Sequence, residues 1–181
     1  MSDLIKGPIQ NPTPQSYLTK IIEPVLCHLA PGIPYSKSAA RLLLGTAIKE
    51  SLNFKYRKQV GGGPAVSYFQ MEPATHDDIW NNYLKYKSDL AKKVTALLTS
   101  PGANKHSELE HNDNYAAAMA RVHYRRVPAA LPPVDDLSLM AAYWKQYYNT
   151  VLGKGIAHEY VTLWNTYVGS KSRLTYLNQC S

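Results

Sequence analysis

One stretch of the chain combines residue types that can carry acid–base chemistry with residues that can hold a polar polymer. Glu50 and Ser51 close an apolar helical segment. Three consecutive glycines follow, and an aromatic and polar segment then extends from Tyr68 to Thr75. A glutamic acid in an apolar pocket keeps its proton to higher pH, because burial disfavours the charged form. Glu50 is therefore the candidate general acid, able to protonate the leaving oxygen of a glycosidic bond near neutral pH.

The spacing of these residues resembles that in the lytic transglycosylases and the wider lysozyme-like superfamily. Members of that superfamily carry Glu-Ser at the end of a core helix and, about twenty residues later, a segment like Gly-Leu-Met-Gln-x-x-Pro-x-Thr. In this chain Gln70 follows Glu50 by 70 − 50 = 20 residues. Glu50 matches the catalytic glutamate of the family, and Ser51 matches the serine beside it.

The resemblance also implies a substrate groove. Pro73 and Thr75 match the end of the second motif, where a helix starts, and Ser67 stands where the family has glycine. A third family motif, Ala-Tyr-Asn-Ala-Gly, is matched only up to Tyr143, after which Trp144 and Lys145 replace the family residues. The substrate-binding residues implied by these matches are Ser51, Tyr68, Phe69, Gln70, Thr75 and Tyr143.

The activity implied by the resemblance is cleavage of the β-1,4 bond between MurNAc and GlcNAc in peptidoglycan, with one catalytic glutamate and no cofactor or metal. Glu50 would first act as acid and then, as base, accept the proton of the sugar's 6-hydroxyl group, which yields a 1,6-anhydro end. The compact form resembles versions carried by tailed bacteriophages, as endolysins or as particle-borne enzymes. The implied partners are peptidoglycan glycan strands and, in a particle, other phage proteins.

Two alternatives share this fold. A hydrolytic muramidase needs a second carboxylate, and Glu72 lies inside the motif as the candidate. Asp77 and Asp78 are explained more simply as first-turn acids favoured by a helix dipole. The second alternative is a phage structural protein that keeps the lysozyme-like fold without activity.

Charge, motifs and residue spacing bear on whether nucleic acid, a metal ion or a disulfide should be expected. The formal charge of +7 favours polyanions in general, but no nucleic-acid-binding motif is present, so a nucleic-acid partner is not predicted. None of the six histidines lies at a tight metal-ligand spacing in the sequence. Cys27 and Cys180 lie too far apart in sequence to indicate a disulfide framework. Cys27 is predicted to be a core residue and Cys180 mobile, and whether they pair stays open.

Targeting signals are likewise not evident in the sequence. No apolar run is long enough to span a membrane, and residues 1–15 contain prolines but no hydrophobic signal region. We therefore expect synthesis in the cytoplasm, followed by action in the periplasm or cell wall or by transport in a phage particle.

Apolar residues at helical spacing predict the elements that must position Glu50. The pattern is typical of a mainly α, lysozyme-like single domain over 15–181, preceded by an extended arm over 1–14. A small irregular or hairpin insertion is expected over 53–74, and a loop over 103–112. The predicted helices are 16–29 with a kink at Pro24, 38–52, 76–99 capped by Thr75, 113–126, 136–149 capped by Asp135 or Asp136, and 155–168.

Overall fold

The computed structural model describes residues 4–149, 155–169 and 174–180. These residues are mainly helical, as predicted, and they form no β-strand, only two isolated antiparallel bridges. None of the described helices is both long and apolar enough to cross a membrane. The elements are α1 (Pro14–Tyr17), a π-helical segment (Leu18–Ile22), α2 (Glu23–Leu29), α3 (Lys37–Ser51), α4 (Pro73–Asn82), a 3₁₀ turn (Leu84–Tyr86), α5 (Ser88–Thr95), α6 (Lys105–His111), α7 (Asp113–Arg125), α8 (Leu137–Trp144), a second π-helical segment (Lys145–Asn149) and α9 (Ala157–Tyr167).

Helix α7 lies at the centre of the fold and packs against α2, α3, α4, α5 and α6. Its middle carries the buried residues Ala116, Ala117, Ala118 and Ala120, whose small side chains let neighbouring helices come close. The predicted helix over 113–126 is confirmed to within one residue. Its start is capped by Asn112, whose side chain accepts a hydrogen bond from the backbone N–H of Tyr115.

Pro24 interrupts the regular α-helical hydrogen bonding of the first helix. Proline has no backbone N–H, and its ring clashes with the carbonyl four residues earlier in a regular α-helix. The helix widens into the π-helical segment just before it, where the N–H of Glu23 donates to the carbonyl of Leu18. The predicted kink at Pro24 therefore takes the form of a π-helical segment within a continuous helical stretch.

The long helix predicted over 76–99 is wrong. Tyr83 leaves the helical region with φ −136°, and the chain continues through a 3₁₀ turn into α5. Tyr86, which the periodicity placed on the apolar side, is 71% exposed. Thr75 does not cap α4 either, because Pro73 already occupies the first helical position, which suits its fixed φ and its missing N–H.

The loop predicted over 103–112 is also wrong, because it contains α6. The side chain of Asn104 caps this helix by accepting a hydrogen bond from the backbone N–H of Ser107. Leu109 is fully buried beneath it. Leu109 is the single apolar residue of α6, which is too weak a signal of helical periodicity to reveal the helix from sequence.

The two cysteines form a disulfide, with their Cα atoms 5.4 Å apart. The expectation of a mobile Cys180 is therefore wrong. The segment before Cys180 lies against the start of the chain, where the backbone N–H of Leu177 donates to Glu23 Oε1 at 2.6 Å and the hydroxyl of Tyr35 donates to the Leu177 carbonyl at 2.8 Å. A covalent bond and these hydrogen bonds together attach the last described residues to α2 and to the loop before α3.

Candidate active site

Helix α3 places Glu50 in its last turn, as the sequence predicted. Gly45 lies one turn earlier, where a Cβ atom would overlap the hydroxyl of Tyr160 on α9. The missing side chain therefore allows α9 to pack directly against α3. At this end of the helix the backbone carbonyls present negative charge, so the ionised form of Glu50 gains no help from the helix dipole.

Ser51, predicted as a substrate-binding residue, does not line the Glu50 cleft and instead holds the chain reversal after Glu50. Its side chain is fully buried, donates to the carbonyl of Ala47 at 2.6 Å and accepts from the N–H of Phe54 at 2.7 Å. The three residues that follow, Leu52, Asn53 and Phe54, all have positive φ. Left-handed backbone at three consecutive non-glycine residues is costly, and the hydrogen bonds of Ser51 help to hold it.

The Glu50 carboxyl group is part-buried and hydrogen-bonded to the indole of Trp144. Trp144 Nε1 donates to Glu50 Oε1 at 2.8 Å. Burial raises the pKa of Glu50 to about 7, although the Trp144 hydrogen bond and the charge of Lys49 act in the opposite direction. Lys49 is itself paired with Glu159 at 3.1 Å, which offsets part of its charge. The carboxyl group therefore keeps its proton to higher pH than an ordinary glutamic acid does.

Glu50 opens onto a cleft of about 950 Å³. One wall is the end of α3, a second is the irregular segment before α4, and the third comes from α7, the π-helical segment after α8, and α9. The cleft carries both polar and apolar side chains, as a sugar-binding groove requires. Its lining residues are Lys49, Glu50, Leu52, Tyr56, Gln59, Val60, Ala65, Gln70, Met71, Glu72, Thr75, His123, Tyr148, Asn149, Gly155 and Glu159.

Three of the other predicted site residues lie in this cleft with Glu50. They are Gln70, Glu72 and Thr75. The backbone of Gln70 has positive φ (45°), and its side-chain amide donates to the carbonyl of Ser67 at 2.8 Å, which holds the side chain close to its own turn. Its amide oxygen stays available to accept a hydrogen bond. Glu72 is exposed, so its carboxylate faces solvent in the cleft.

Tyr68 and Phe69 do not form the groove walls predicted for them. Tyr68 is 3% exposed and Phe69 is fully buried. They pack with Tyr17 and Phe54 in an aromatic cluster below the cleft, with centroid distances between 4.8 and 6.3 Å. Arg57 stacks on the Tyr68 ring, 3.8 Å from its centroid. Residues with this much apolar surface are more stable in the core than on a groove wall.

Tyr143 also lies away from the cleft. It is 7% exposed, and its hydroxyl donates to the carbonyl of Ala129 at 3.0 Å. It lines a separate cavity of about 330 Å³ together with Arg121 and Arg125. The structure therefore places Tyr143, which was predicted to bind substrate, in a packed position outside the Glu50 cleft.

The sequence reasoning missed three residues around Glu50: Trp144, His123 and Tyr148. The hydroxyl of Tyr148 donates to the carbonyl of Phe69 at 2.8 Å, and its ring meets His123 edge-on at 5.1 Å. Burial, reinforced by the charge of Arg126, lowers the pKa of His123 to about 4, so this imidazole is neutral at pH 7. The one signal available was Trp144 itself, an aromatic residue at a position where the family motif has asparagine.

Comparison of the chain with protein-family models, with curated proteins and with solved structures finds no match. The site itself is a part-buried carboxyl group, oriented by one indole N–H, at the edge of a cleft large enough for sugar rings.

Proposed function

We propose that this protein cleaves peptidoglycan glycan strands at the β-1,4 bond between MurNAc and GlcNAc, with Glu50 as acid and then base. The observation that carries the proposal is a part-buried carboxyl group, held by the Trp144 hydrogen bond, on the wall of a 950 Å³ cleft, where burial raises its pKa to about 7. A general acid is most effective when its pKa lies near the working pH. The lysozyme-like arrangement of the helices and the site of action, in the cell wall during phage entry or lysis, belong to the same proposal.

The hydrogen bond from Trp144 determines which oxygen of Glu50 carries the proton. Indole N–H is a donor only, and it donates to Oε1. The proton of the neutral acid therefore resides on Oε2, which remains available to the substrate. Protonation of the bridging oxygen breaks its bond to C1 of MurNAc and leaves positive charge on the sugar ring.

The second step returns the proton to Glu50. Its carboxylate accepts the proton of the MurNAc 6-hydroxyl group while that oxygen forms a bond to C1. The product ends in a 1,6-anhydro sugar, and no water is consumed. This route requires one carboxyl group, and the Trp144 hydrogen bond holds that group in the same orientation for both steps.

A hydrolytic muramidase is the second candidate, because Glu72 lines the same cleft. An exposed carboxylate in the cleft that holds the acid could activate a water molecule for attack at C1. Mass spectrometry of digested peptidoglycan separates the two reactions: a transglycosylase leaves 1,6-anhydro ends, whereas a hydrolase leaves reducing ends.

The decisive experiment compares wild type, Glu50→Gln and Glu72→Gln on purified peptidoglycan. Glu50→Gln keeps the acceptor for Trp144 but cannot donate a catalytic proton, so we expect release of soluble fragments to fall at least about 100-fold. Asp89→Asn is the matched control, because it removes one acidic charge from a residue whose side chain is 93% exposed outside the cleft. Equal release by wild type and Glu50→Gln would reject Glu50 as the catalytic acid, and absence of release by wild type would leave a non-catalytic particle protein as the alternative.

A further inference from the structure

A further cavity, separate from the Glu50 cleft and from the cavity at Tyr143, contains a cluster of potential metal ligands. It has a volume of about 550 Å³ and lies between the first turns of α4 and α6. His76, Asp77 and His106 line it, and each offers one ligand atom, all within 4.8 Å of one another. His76 and His106 are 30 residues apart in the sequence, which is why no ligand spacing was evident there.

We propose that His76, Asp77 and His106 bind one Zn²⁺ ion, with a fourth coordination position open to this cavity. Two imidazole nitrogens and a carboxylate oxygen are a ligand set that zinc accepts, and sites with three protein ligands complete their coordination with water or a small ligand. The proposal is independent of glycan cleavage, since Glu50 does not line this cavity.

Two of the three ligand-atom distances need only a small change to admit an ion, and the third, between the two histidine nitrogens, is within 4.8 Å. Asp77 Oδ1 lies 2.9 Å from His76 Nδ1 and 2.7 Å from His106 Nε2. Tetrahedral zinc with bonds near 2.0 Å places its ligand atoms about 3.3 Å apart. The side chains of Asp77 and His106 are half-exposed and can move outward by this amount, whereas His76 is buried and stays fixed.

The surroundings of His76 match those of a metal-binding histidine. Its second ring nitrogen, Nε2, lies 2.8 Å from the hydroxyl of the buried Tyr115. Trp80 Nε1 donates to the same hydroxyl at 2.9 Å and so fixes its position. In metal-bound histidines, the ring nitrogen that does not bind the metal commonly forms a hydrogen bond, which fixes the ring orientation. In His76 this nitrogen is Nε2, and Nδ1 is the one that would bind the ion.

The charges that line the cavity weaken its attraction for a cation. Lys85 and Lys105 line it and oppose a cation, and Asp77 supplies the one carboxylate among the lining residues. Zinc therefore gains most of its binding free energy from the two imidazoles. The ion would join α4 to α6. Thr75, the residue before His76, lines the Glu50 cleft, so the ion would also hold one wall of that cleft.

Calorimetric titration of the full-length, chelator-treated protein with Zn²⁺ tests the proposal. We expect one ion per chain and a melting temperature that rises with zinc. His106→Ala should weaken binding at least about tenfold. The matched control is His111→Ala, which removes a 61% exposed histidine from the same helix but outside the cluster, and it should bind as wild type does.

Two further measurements keep the test decisive. Asp77→Asn removes the carboxylate charge without changing the size of the side chain, and it should also lose affinity. X-ray absorption at the zinc edge should show two imidazole ligands. Absence of saturable binding, or equal affinities for wild type and His106→Ala, would overturn the proposal, as would equal losses in the His106 and His111 variants. Circular dichroism establishes that each variant is folded.

Discussion

Trp144 and Glu50 are 94 residues apart in sequence, and the indole N–H of one donates to the carboxyl group of the other at 2.8 Å. The contact joins the end of α8 to the end of α3, the two elements that meet below the cleft. Trp144 is fully buried, so its ring is held by packing and cannot follow the carboxyl group if that group moves. The hydrogen bond therefore fixes the orientation of Glu50 and also favours its ionised form.

Replacing Trp144 by Phe should raise the pKa of Glu50 above about 7, because the hydrogen bond that lowers it is lost. The proposed activity depends on a protonated Glu50, so it falls about tenfold per pH unit above this pKa. We expect this decrease in activity to begin at higher pH in Trp144→Phe than in wild type. The maximal rate should drop about tenfold, since the carboxyl group is no longer oriented. The measurement is the pH dependence of peptidoglycan solubilisation.

Tyr143→Phe is the control for Trp144→Phe. It changes the adjacent residue and removes one hydrogen bond, to the Ala129 carbonyl, but it lies outside the cleft. The pH profile of this variant should match that of wild type. An unchanged profile in Trp144→Phe, or the same displacement in both variants, would contradict the role assigned to the indole.

The site residues that could be predicted from sequence are those that a single helix or a single short motif places in the cleft. The apolar face of α3 and its ending at Ser51 place Glu50, and the motif before α4 places Gln70, Glu72 and Thr75. Tyr68 and Phe69 belong to the same motif, yet both are buried in the core. Burial of two large rings contributes more free energy than contacts in a groove would. Local pattern alone does not distinguish an aromatic wall from an aromatic core.

The relationships that could not be predicted all join distant segments. The Trp144–Glu50 hydrogen bond, the Cys27–Cys180 disulfide and the meeting of His76 with His106 depend on how helices pack, which periodicity does not encode. The missed break after α4 has a related cause. Apolar residues continued at helical spacing through 83–97, but the chain turns at Tyr83 and presents them to different neighbours.

Glu50→Gln should stabilise the protein at high pH and much less at low pH. The pKa of Glu50 is raised in the folded state from an ordinary value near 4.5 to about 7, so the folded protein keeps a proton that the unfolded chain releases between these values. Wild type therefore loses stability as pH rises from 4.5 to 7, by roughly 2–3 kcal/mol. Glutamine has no proton to release and avoids this loss.

The measurement for Glu50→Gln is urea unfolding of both proteins at pH 4 and pH 8. The free energy of unfolding of the variant, relative to wild type, should be larger at pH 8 than at pH 4. The same relative stability at both pH values would mean that burial does not raise the pKa of Glu50, and the proposed catalytic acid would lose its basis. Asp89→Asn again serves as the matched control, because its carboxyl group is exposed.

Gly45→Ala should destabilise the packing of α3 against α9. The new methyl group would overlap the hydroxyl of the fully buried Tyr160. Overpacking of this kind costs about 1–3 kcal/mol, and we expect a lower melting temperature together with weaker peptidoglycan cleavage, because α3 carries Glu50. Gly32→Ala is the milder comparison, since its Cβ atom would make a tight contact of 3.3 Å with the Leu29 carbonyl but no overlap, and we expect a smaller fall in its melting temperature. Equal melting temperatures for the two variants would contradict the close α3–α9 contact.

Removal of the Cys27–Cys180 disulfide should destabilise the protein without changing the chemistry at Glu50. The bond links residues separated by 153 positions, so it restricts most of the unfolded chain, and its loss should cost about 2–5 kcal/mol. Neither cysteine lines the Glu50 cleft. Cys27→Ser with Cys180→Ser should therefore lower the melting temperature and retain the cleavage rate at temperatures where the variant is folded. A thiol reductant should lower the melting temperature of wild type by a similar amount and leave that of the double variant unaffected. Equal melting temperatures for oxidised and reduced wild type would show that the disulfide contributes no stability.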